Sequence, residues 1–262
     1  MTSTDKMLTH KEGSVGYITF NNPEKRNAVS LDMWEACEGH LDKFRHDNDV
    51  HVVVVTGAGG KAFVSGADIS KFGEERASKE ASDHYNEVVD RVNAAFTDFP
   101  KPTIAMIRGY CIGGGMGLAL TCDMRICTEG SSFAVPAAKL SIGYRYTGLK
   151  KLVDLVGPSF AKEIFYTARQ FTAPEALAMG LVNRVVANGE LESYVRNYAE
   201  TIAGNAPLTI RTVKYMIGQM LSEEPSDLET AEKMVQECFA SNDFIEGRTA
   251  FMEKRKPKFT GK

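Results

Sequence analysis

An α/β chain with an all-helical C-terminal part is what the sequence predicts, on three observations. Short β-branched apolar runs, at 15–20, 50–56 and 103–107, have the length of buried strands and are separated by segments whose apolar residues recur at helical spacing. Two of these runs end in glycine-rich turns: 50–56 enters Gly57-Ala-Gly-Gly, and 103–107 leads to Gly109, Gly113, Gly114, Gly115 and Gly117. From Leu191 onward every segment reads as helix. That change near residue 190 predicts two parts, 1–190 as the α/β core and 191–262 as a helical subdomain.

The strand at 15–20 is closed by Asn21-Asn22-Pro23. Ser30 is placed to cap a helix over 31–45, with Leu31, Trp34, Cys37, Leu41 and Phe44 on one face. After the strand at 50–56, the charged, small-residue stretch 71–82 predicts a mobile loop over a cleft. A helix over 83–96 carries Tyr85, Val88, Val89, Val92 and Phe96 inward. The strand at 103–107 is entered through Pro100-Lys101-Pro102, and prolines suit a strand's beginning. A short helix then ends near Asp123, and 124–127 is a strand. Residues 133–146 are loop-rich. Helices follow at 149–156 and 158–168. Thr172-Ala-Pro-Glu175 is a capping box that starts a helix ended by Gly180. A strand at 181–186 precedes helices at 191–203, 207–221, 227–240 and 244–254.

Composition narrows the function classes. The chain has 262 residues, 43% hydrophobic and 25% charged, the proportions of an ordinary globular protein. A formal net charge of −3 gives no global basic field for nucleic acid. No apolar run approaches a membrane span. The first residues, Met-Thr-Ser-Thr-Asp-Lys, carry no signal-peptide core and no Arg-rich transit character, so a cytoplasmic protein is expected. The cysteines (Cys37, Cys111, Cys122, Cys127, Cys238) form no Cys-x-x-Cys pair and lie in apolar stretches, as reduced core thiols do. No His/Cys cluster has zinc spacing, so no metal is expected.

The glycine cluster carries the chemistry. A strand that ends in glycines and opens a helix leaves several backbone N–H groups free, with the positive end of the helix dipole behind them. Glycine lets another molecule approach that backbone. The arrangement suits a developing negative oxygen, although the same glycines also suit a tight helix–strand crossing. The cluster matches neither the dinucleotide fingerprint nor the P-loop.

Ser65-Gly-Ala-Asp-Ile69 after one strand, and Gly109-Tyr-Cys-Ile-Gly-Gly-Gly115 after the next, together resemble the enoyl-CoA hydratase/isomerase (crotonase) superfamily. Asn22-Pro-Glu-Lys-Arg-Asn-Ala28 and Phe251-Met-Glu-Lys-Arg-Lys256 extend the resemblance over nearly the whole chain. It implies a spiral of ββα units, with a helical C-terminal part that makes a trimer or a dimer of trimers and lends one wall to a neighbour's site. It implies acyl-CoA chemistry of the lyase type met in fatty acid metabolism, with no cofactor beyond the coenzyme A of the substrate. It also implies an oxyanion hole made by the amides of Ala67 and Gly114. Ala28, Asp68 and Ile69 then belong to the surface that binds the coenzyme. Lys25 and Arg26 suit its phosphates, or serve solubility alone. Phe251, Lys254 and Lys256 either add contacts, across a subunit interface, or form a solvated helix face.

The chain departs from that family at the acid/base positions. The hydratases carry one glutamate two residues after the glycine triplet; here that residue is Gly117. They carry a second after the proline of a Phe-x-x-Pro-Glu pattern; here Phe133-Ala-Val-Pro136 is followed by Ala137. Some relatives place an aspartate eight residues further on; here that is Arg145. None of the three transfers a proton as a carboxyl does. Tyr144, Arg145 and Tyr146 remain as candidates, Arg145 to hold an acyl-chain carboxylate bidentately and a tyrosine to protonate an enolate. Equally, both tyrosines pack and Arg145 pairs with a surface acid. Two classes of function stand at this point. One is an acyl-CoA enzyme with unusual acid/base groups, acting as hydratase, decarboxylase or thioester hydrolase. The other is a CoA-ester binding protein with little catalysis.

Overall fold

Strands buried on both faces require helices above and below, which favours parallel pairing through crossover connections. The computed structural model, which describes residues 4–224 and 226–262, has this form. The elements run β1 (Met7–Glu12), β2 (Val15–Phe20), α1 (Leu31–His46), β3 (Val52–Gly57), β4 (Ala62–Val64), α2 (Phe72–Glu75) and α3 (Lys79–Thr97). They continue with β5 (Thr103–Ile107), β6 (Tyr110–Ile112), α4 (Gly114–Thr121), β7 (Met124–Thr128), β8 (Ser132–Ala134), α5 (Tyr146–Thr167) and β9 (Phe171–Thr172). The last are α6 (Ala173–Ala178), β10 (Arg184–Val186), α7 (Leu191–Ala203), α8 (Pro207–Leu221), α9 (Leu228–Ala240) and α10 (Asn242–Glu253).

A six-stranded sheet has the order β1-β2-β3-β5-β7-β10, parallel except for the β1–β2 hairpin. A second sheet, β4-β6-β8-β9, takes one short strand from each successive unit. Thus β3-β4, β5-β6 and β7-β8 each leave the large sheet, enter the small one and continue into helix. This is the expected ββα spiral. The main core lies between the sheets and α1, α3 and α5, around Phe20, Trp34, Phe63, Val88, Phe96 and Phe133. On the other face of the large sheet, Val15, Tyr17, Val52, Val54, Ile104 and Ile126 pack on Leu191, Val195 and Ala199 of α7. The boundary expected at 190 therefore falls before a helix that completes the core, and the peripheral helices begin at Pro207.

Several expectations are corrected. The strand β1 is missed because Leu8 to Glu12 is exposed and, after Leu8, polar, an edge partner of β2 with no apolar periodicity of its own. The small-sheet strands are too short to show periodicity. Residues 71–82 are not a plain loop. A 3-10 turn (Ile69–Lys71) runs into α2, and the Ser78 hydroxyl caps α3 by accepting from the Ala81 N–H at 3.2 Å. Ser30 does not cap α1; the Glu75 carboxylate accepts the Leu31 N–H instead, at 2.9 Å. Only Arg184–Val186 pairs as a strand, since the Leu181 and Val182 amides turn back to the Ala176 carbonyl. The two helices at 149–168 are continuous except at Gly157, whose φ of 76° breaks the regular path before Pro158. The capping box at Thr172 and Glu175 is formed. Among the described residues no helix is long and apolar enough to cross a membrane.

Candidate active site

The site is built where the two sheets' connections meet. After β4, Gly66 takes a φ of 111° and turns the chain beside Val29. The Val29 N–H donates to the Gly66 carbonyl at 2.9 Å, and the Asp68 N–H donates to the Val29 carbonyl at 2.8 Å. In this parallel bridge the groups flanking Ala67 satisfy Val29, so the Ala67 N–H faces the opposite side. That side holds the start of α4. The Gly113 N–H is anchored on the Ala134 carbonyl at 2.9 Å, leaving Gly114 as the first helical residue. A Cβ on Gly114 would stand 3.8 Å from the Ala67 nitrogen, so the two amides are neighbours. Neither N–H donates to a protein acceptor among the described residues. The approach of α4 to β4 depends on Gly115, where any Cβ would lie 2.0 Å from the Val64 carbonyl oxygen. Two unpaired donors at a helix N-terminus can hold one oxygen that carries negative charge.

The rim is made by the stretch before α1. Asp68 is 3% exposed and holds Lys25 Nζ at 2.9 Å, with the Ser70 N–H and hydroxyl on its other oxygen at 3.1 and 2.6 Å. Burial pushes the Asp68 carboxyl up, but the hydrogen bonds from Ser70 and Lys25 outweigh it and leave it below the ordinary range. Arg26 is exposed and lies over the Tyr110 ring at 5.1 Å. Sequence reasoning missed Asn27. Fully buried, it donates from its side-chain amide to the Ala58 and Ala62 carbonyls and accepts from the Asn22 N–H. It fastens the rim to the β3–β4 turn. Its φ of 56°, which Asn tolerates better than most residues, is the signal that a sequence alone does not carry.

The enoyl-CoA hydratase/isomerase family model matches residues 10–262. The chain belongs to the enoyl-CoA hydratase/isomerase family. It is 34% identical to the short-chain-enoyl-CoA hydratase of Clostridium acetobutylicum over 256 residues, 96% of each chain. It is likewise 34% identical to the carnitinyl-CoA dehydratase of Salmonella enteritidis, covering 96% of this chain and 97% of that one. Among solved structures, an enoyl-CoA hydratase/isomerase family protein from Hyphomonas neptunium superposes with a TM-score of 0.94 at 34% identity, over the whole of both chains.

Of the residues expected in the site of this hydratase/isomerase family member, Lys25, Ala28, Ala67, Asp68, Ile69 and Gly114 gather around the paired amides. Gly117 and Ala137 carry no proton-transfer group. A Cβ on Gly117 would meet nothing within 4 Å, and Ala137 is buried in a 3-10 turn (Pro136–Lys139). The Tyr-Arg-Tyr stretch is engaged elsewhere. Arg145 pairs with Asp90 of α3, and the Tyr146 hydroxyl donates to Glu223. The Tyr144 ring packs edge-on against Phe165 at 4.7 Å, and burial raises its phenol above the ordinary value. Phe251 and Lys254 stand at the exposed end of α10. The thiols of Cys37, Cys111, Cys122 and Cys127 are buried, and burial raises each of them, Cys122 and Cys127 to about 12.

Proposed function

We propose that this protein is an acyl-CoA enzyme that holds the thioester carbonyl oxygen between the N–H groups of Ala67 and Gly114. The observation that carries the reading is the pairing of these two amides, adjacent and without protein acceptors. Enolate formation at a thioester places negative charge on that oxygen, and each preorganised donor stabilises it by roughly 3–4 kcal/mol. Lys25, Ala28, Asp68 and Ile69 form the rim along which the coenzyme lies. Because Gly117 and Ala137 offer no carboxyl, two-group chemistry such as hydration of a short enoyl-CoA is slow. Chemistry needing one proton-transfer group beside the two donors is favoured.

The second reading, a CoA-ester binding protein with little catalysis, is favoured by those same two residues. A decarboxylase that grips an acyl carboxylate with Arg145 requires Arg145 to leave Asp90 first. Turnover across a panel of saturated, unsaturated and carboxylated acyl-CoAs separates these classes. An enzyme turns over at least one of them and loses that activity in Gly114→Pro. Binding without turnover of any would establish the binding protein.

We further propose self-association through the peripheral helices, as a trimer or a dimer of trimers. Met220, Phe239, Phe251 and Met252 are all more than 60% exposed there, more apolar surface than a monomer usually leaves open. Sedimentation at micromolar concentration tests this, and a monomer would refute it.

A further inference from the structure

Gly117 stands in the middle of α4 without a structural need for glycine. Its N–H donates to the Gly113 carbonyl at 3.0 Å, as in an ordinary helix, and its φ is not in the left-handed region. A Cβ there would meet nothing within 4 Å, so no neighbour excludes a side chain. Gly115 is the contrast, because its Cβ would lie 2.0 Å from the Val64 carbonyl oxygen and the approach of α4 to β4 forbids one. Glycine inside a helix is less favourable than alanine, through the backbone freedom it loses on folding. The bare position 117 therefore lowers stability and gives the packing nothing in return.

The helix turns this position to the same side as the paired amides. Of the eight residues of α4, Gly115, Met116, Leu118, Ala119 and Thr121 are buried, while Gly114, Gly117 and Leu120 are not. Successive helical residues turn by about 100°, so these three share a sector about 120° wide with Gly117 at its middle. Gly114 bounds that sector on one side, and positions three apart on a helix are neighbours, about 5–6 Å between Cβ positions. The stretch before Ala137 flanks the start of the strip, since Pro136 Cδ lies 4.0 Å from the Cβ that Gly113 would carry. An open strip therefore begins at the Gly114 amide and continues along α4 over Gly117 to Leu120.

We propose that Gly117 determines which acyl group the site accepts, by leaving room beside the thioester for a bulky one. The inference rests on the acyl-CoA reading above. With the carbonyl oxygen between the Ala67 and Gly114 amides and the coenzyme along the rim beyond Ala67, the acyl group extends away from the rim, over α4. Its α-carbon is two bonds from that oxygen and its β-carbon three. Substituents on either carbon therefore fall within one helical pitch of Gly114, about 5.4 Å, and rest on Gly117. A side chain at 117 would project into that same space. Leu120, the next residue on the strip, is partly buried against the core and supplies an apolar wall. The ligand class is an acyl-CoA that is branched or ring-bearing close to the thioester, of which isovaleryl-CoA and benzoyl-CoA are probes.

The test is calorimetric binding of acetyl-CoA, isovaleryl-CoA and benzoyl-CoA to the wild type, Gly117→Ala and Gly117→Val, with thermal unfolding of each protein. The wild type should bind the two bulky esters more tightly than acetyl-CoA. Gly117→Val should lower the affinity for both bulky esters, relative to that for acetyl-CoA, by at least tenfold, the size of effect that a misfit of one or two methyl groups produces. Gly117→Ala should show a smaller loss of the same kind together with a higher unfolding midpoint, since the fold gains from a side chain there. The alanine variant also decides the matter if the valine variant does not fold. An equal change for all three esters, or a Gly117→Ala protein that melts below the wild type, overturns the proposal. A wild type that binds acetyl-CoA but neither bulky ester overturns the role of Gly117 and leaves the acyl-CoA reading standing. A wild type that binds none of the three overturns both.

Discussion

The side-chain amide of Asn27 donates to the Ala62 carbonyl at 2.8 Å, tying the rim of the site to the first residue of β4. The same amide reaches the Ala58 carbonyl at 2.9 Å, so one buried residue closes the turn between the two sheets. Asn27→Ala leaves two carbonyls and the Asn22 N–H without their partner. It should lower the unfolding free energy by about 2 kcal/mol or more, since an unsatisfied buried group costs roughly 1–3 kcal/mol. Denaturant unfolding measures this, and a change under about 0.5 kcal/mol, the size of an ordinary surface substitution, would show that the turn holds without it.

The opposite end of α4 makes a second prediction. Arg125 is buried and gives its guanidinium to the carbonyls of Leu181, Ala119 and Cys122, at 2.8, 3.2 and 2.7 Å. It therefore caps the C-terminal end of the helix whose N-terminus presents Gly114, where a cation also suits the dipole. Arg125→Met should destabilise the fold by about 3 kcal/mol through those orphaned carbonyls. Thermal unfolding of the variant decides, and an unchanged midpoint would refute the cap.

Asp68 gives the protein an acid-sensitive link. Its folded-state carboxyl lies below the ordinary value, so its contribution is fully present above the unfolded value of about 4 and is lost as pH falls through the folded one. The stability difference between wild type and Asp68→Asn should be constant from pH 8 to 5 and shrink on further acidification. A difference that grows below pH 4 would contradict the ion pair with Lys25.

Thiol accessibility is a simple check on the core. Cys37, Cys111, Cys122 and Cys127 are buried, while Cys238 is partly exposed with its sulfur 3.5 Å from the Thr212 hydroxyl. A disulfide reagent should label Cys238 alone in the native protein and all five after denaturation. Rapid native labelling of a second thiol would mean that the core opens readily.

The parts of this fold visible in the sequence are those whose signal is local. The strand at β3 declares itself by four consecutive valines, the paired glycine motifs by their composition, and the box at Thr172 and Glu175 by its spacing. What was hidden depends on partners distant in the chain. β1 exists because β2 needs an edge neighbour, and α1 is capped from 44 residues away by Glu75. The composition of 71–82 resembles a loop because its turn is held by Arg76 on Tyr85 and by Glu75 on Leu31 rather than by apolar periodicity. Arg145 illustrates the same limit: its neighbours in sequence left a substrate carboxylate and a surface acid equally open as partners, and the fold supplies Asp90.

Hydratase activity gives a gain-of-function prediction. The family resemblance implies acid/base carboxyls where this chain has Gly117 and Ala137, so wild type should hydrate crotonyl-CoA at least 100-fold more slowly than Gly117→Glu, Ala137→Glu, because each proton-transfer group contributes roughly 10²–10⁴-fold. Position 117 has room for the side chain, since its Cβ would meet nothing within 4 Å. Initial rates at saturating crotonyl-CoA settle the matter, and a double variant slower than wild type would refute the placement.

The central claim, that the thioester oxygen rests on the Ala67 and Gly114 amides, is tested most directly by difference Raman spectroscopy of bound crotonyl-CoA. Two charge-stabilising hydrogen bonds weaken the carbonyl bond, so its stretching band should fall in frequency on binding to the wild type. In Gly114→Pro, where proline is tolerated at the first helical position but lacks the N–H, most of that fall should be lost while crotonyl-CoA still binds. A band at its free-solution frequency in the wild-type complex, or an equal fall in both proteins, would contradict the account.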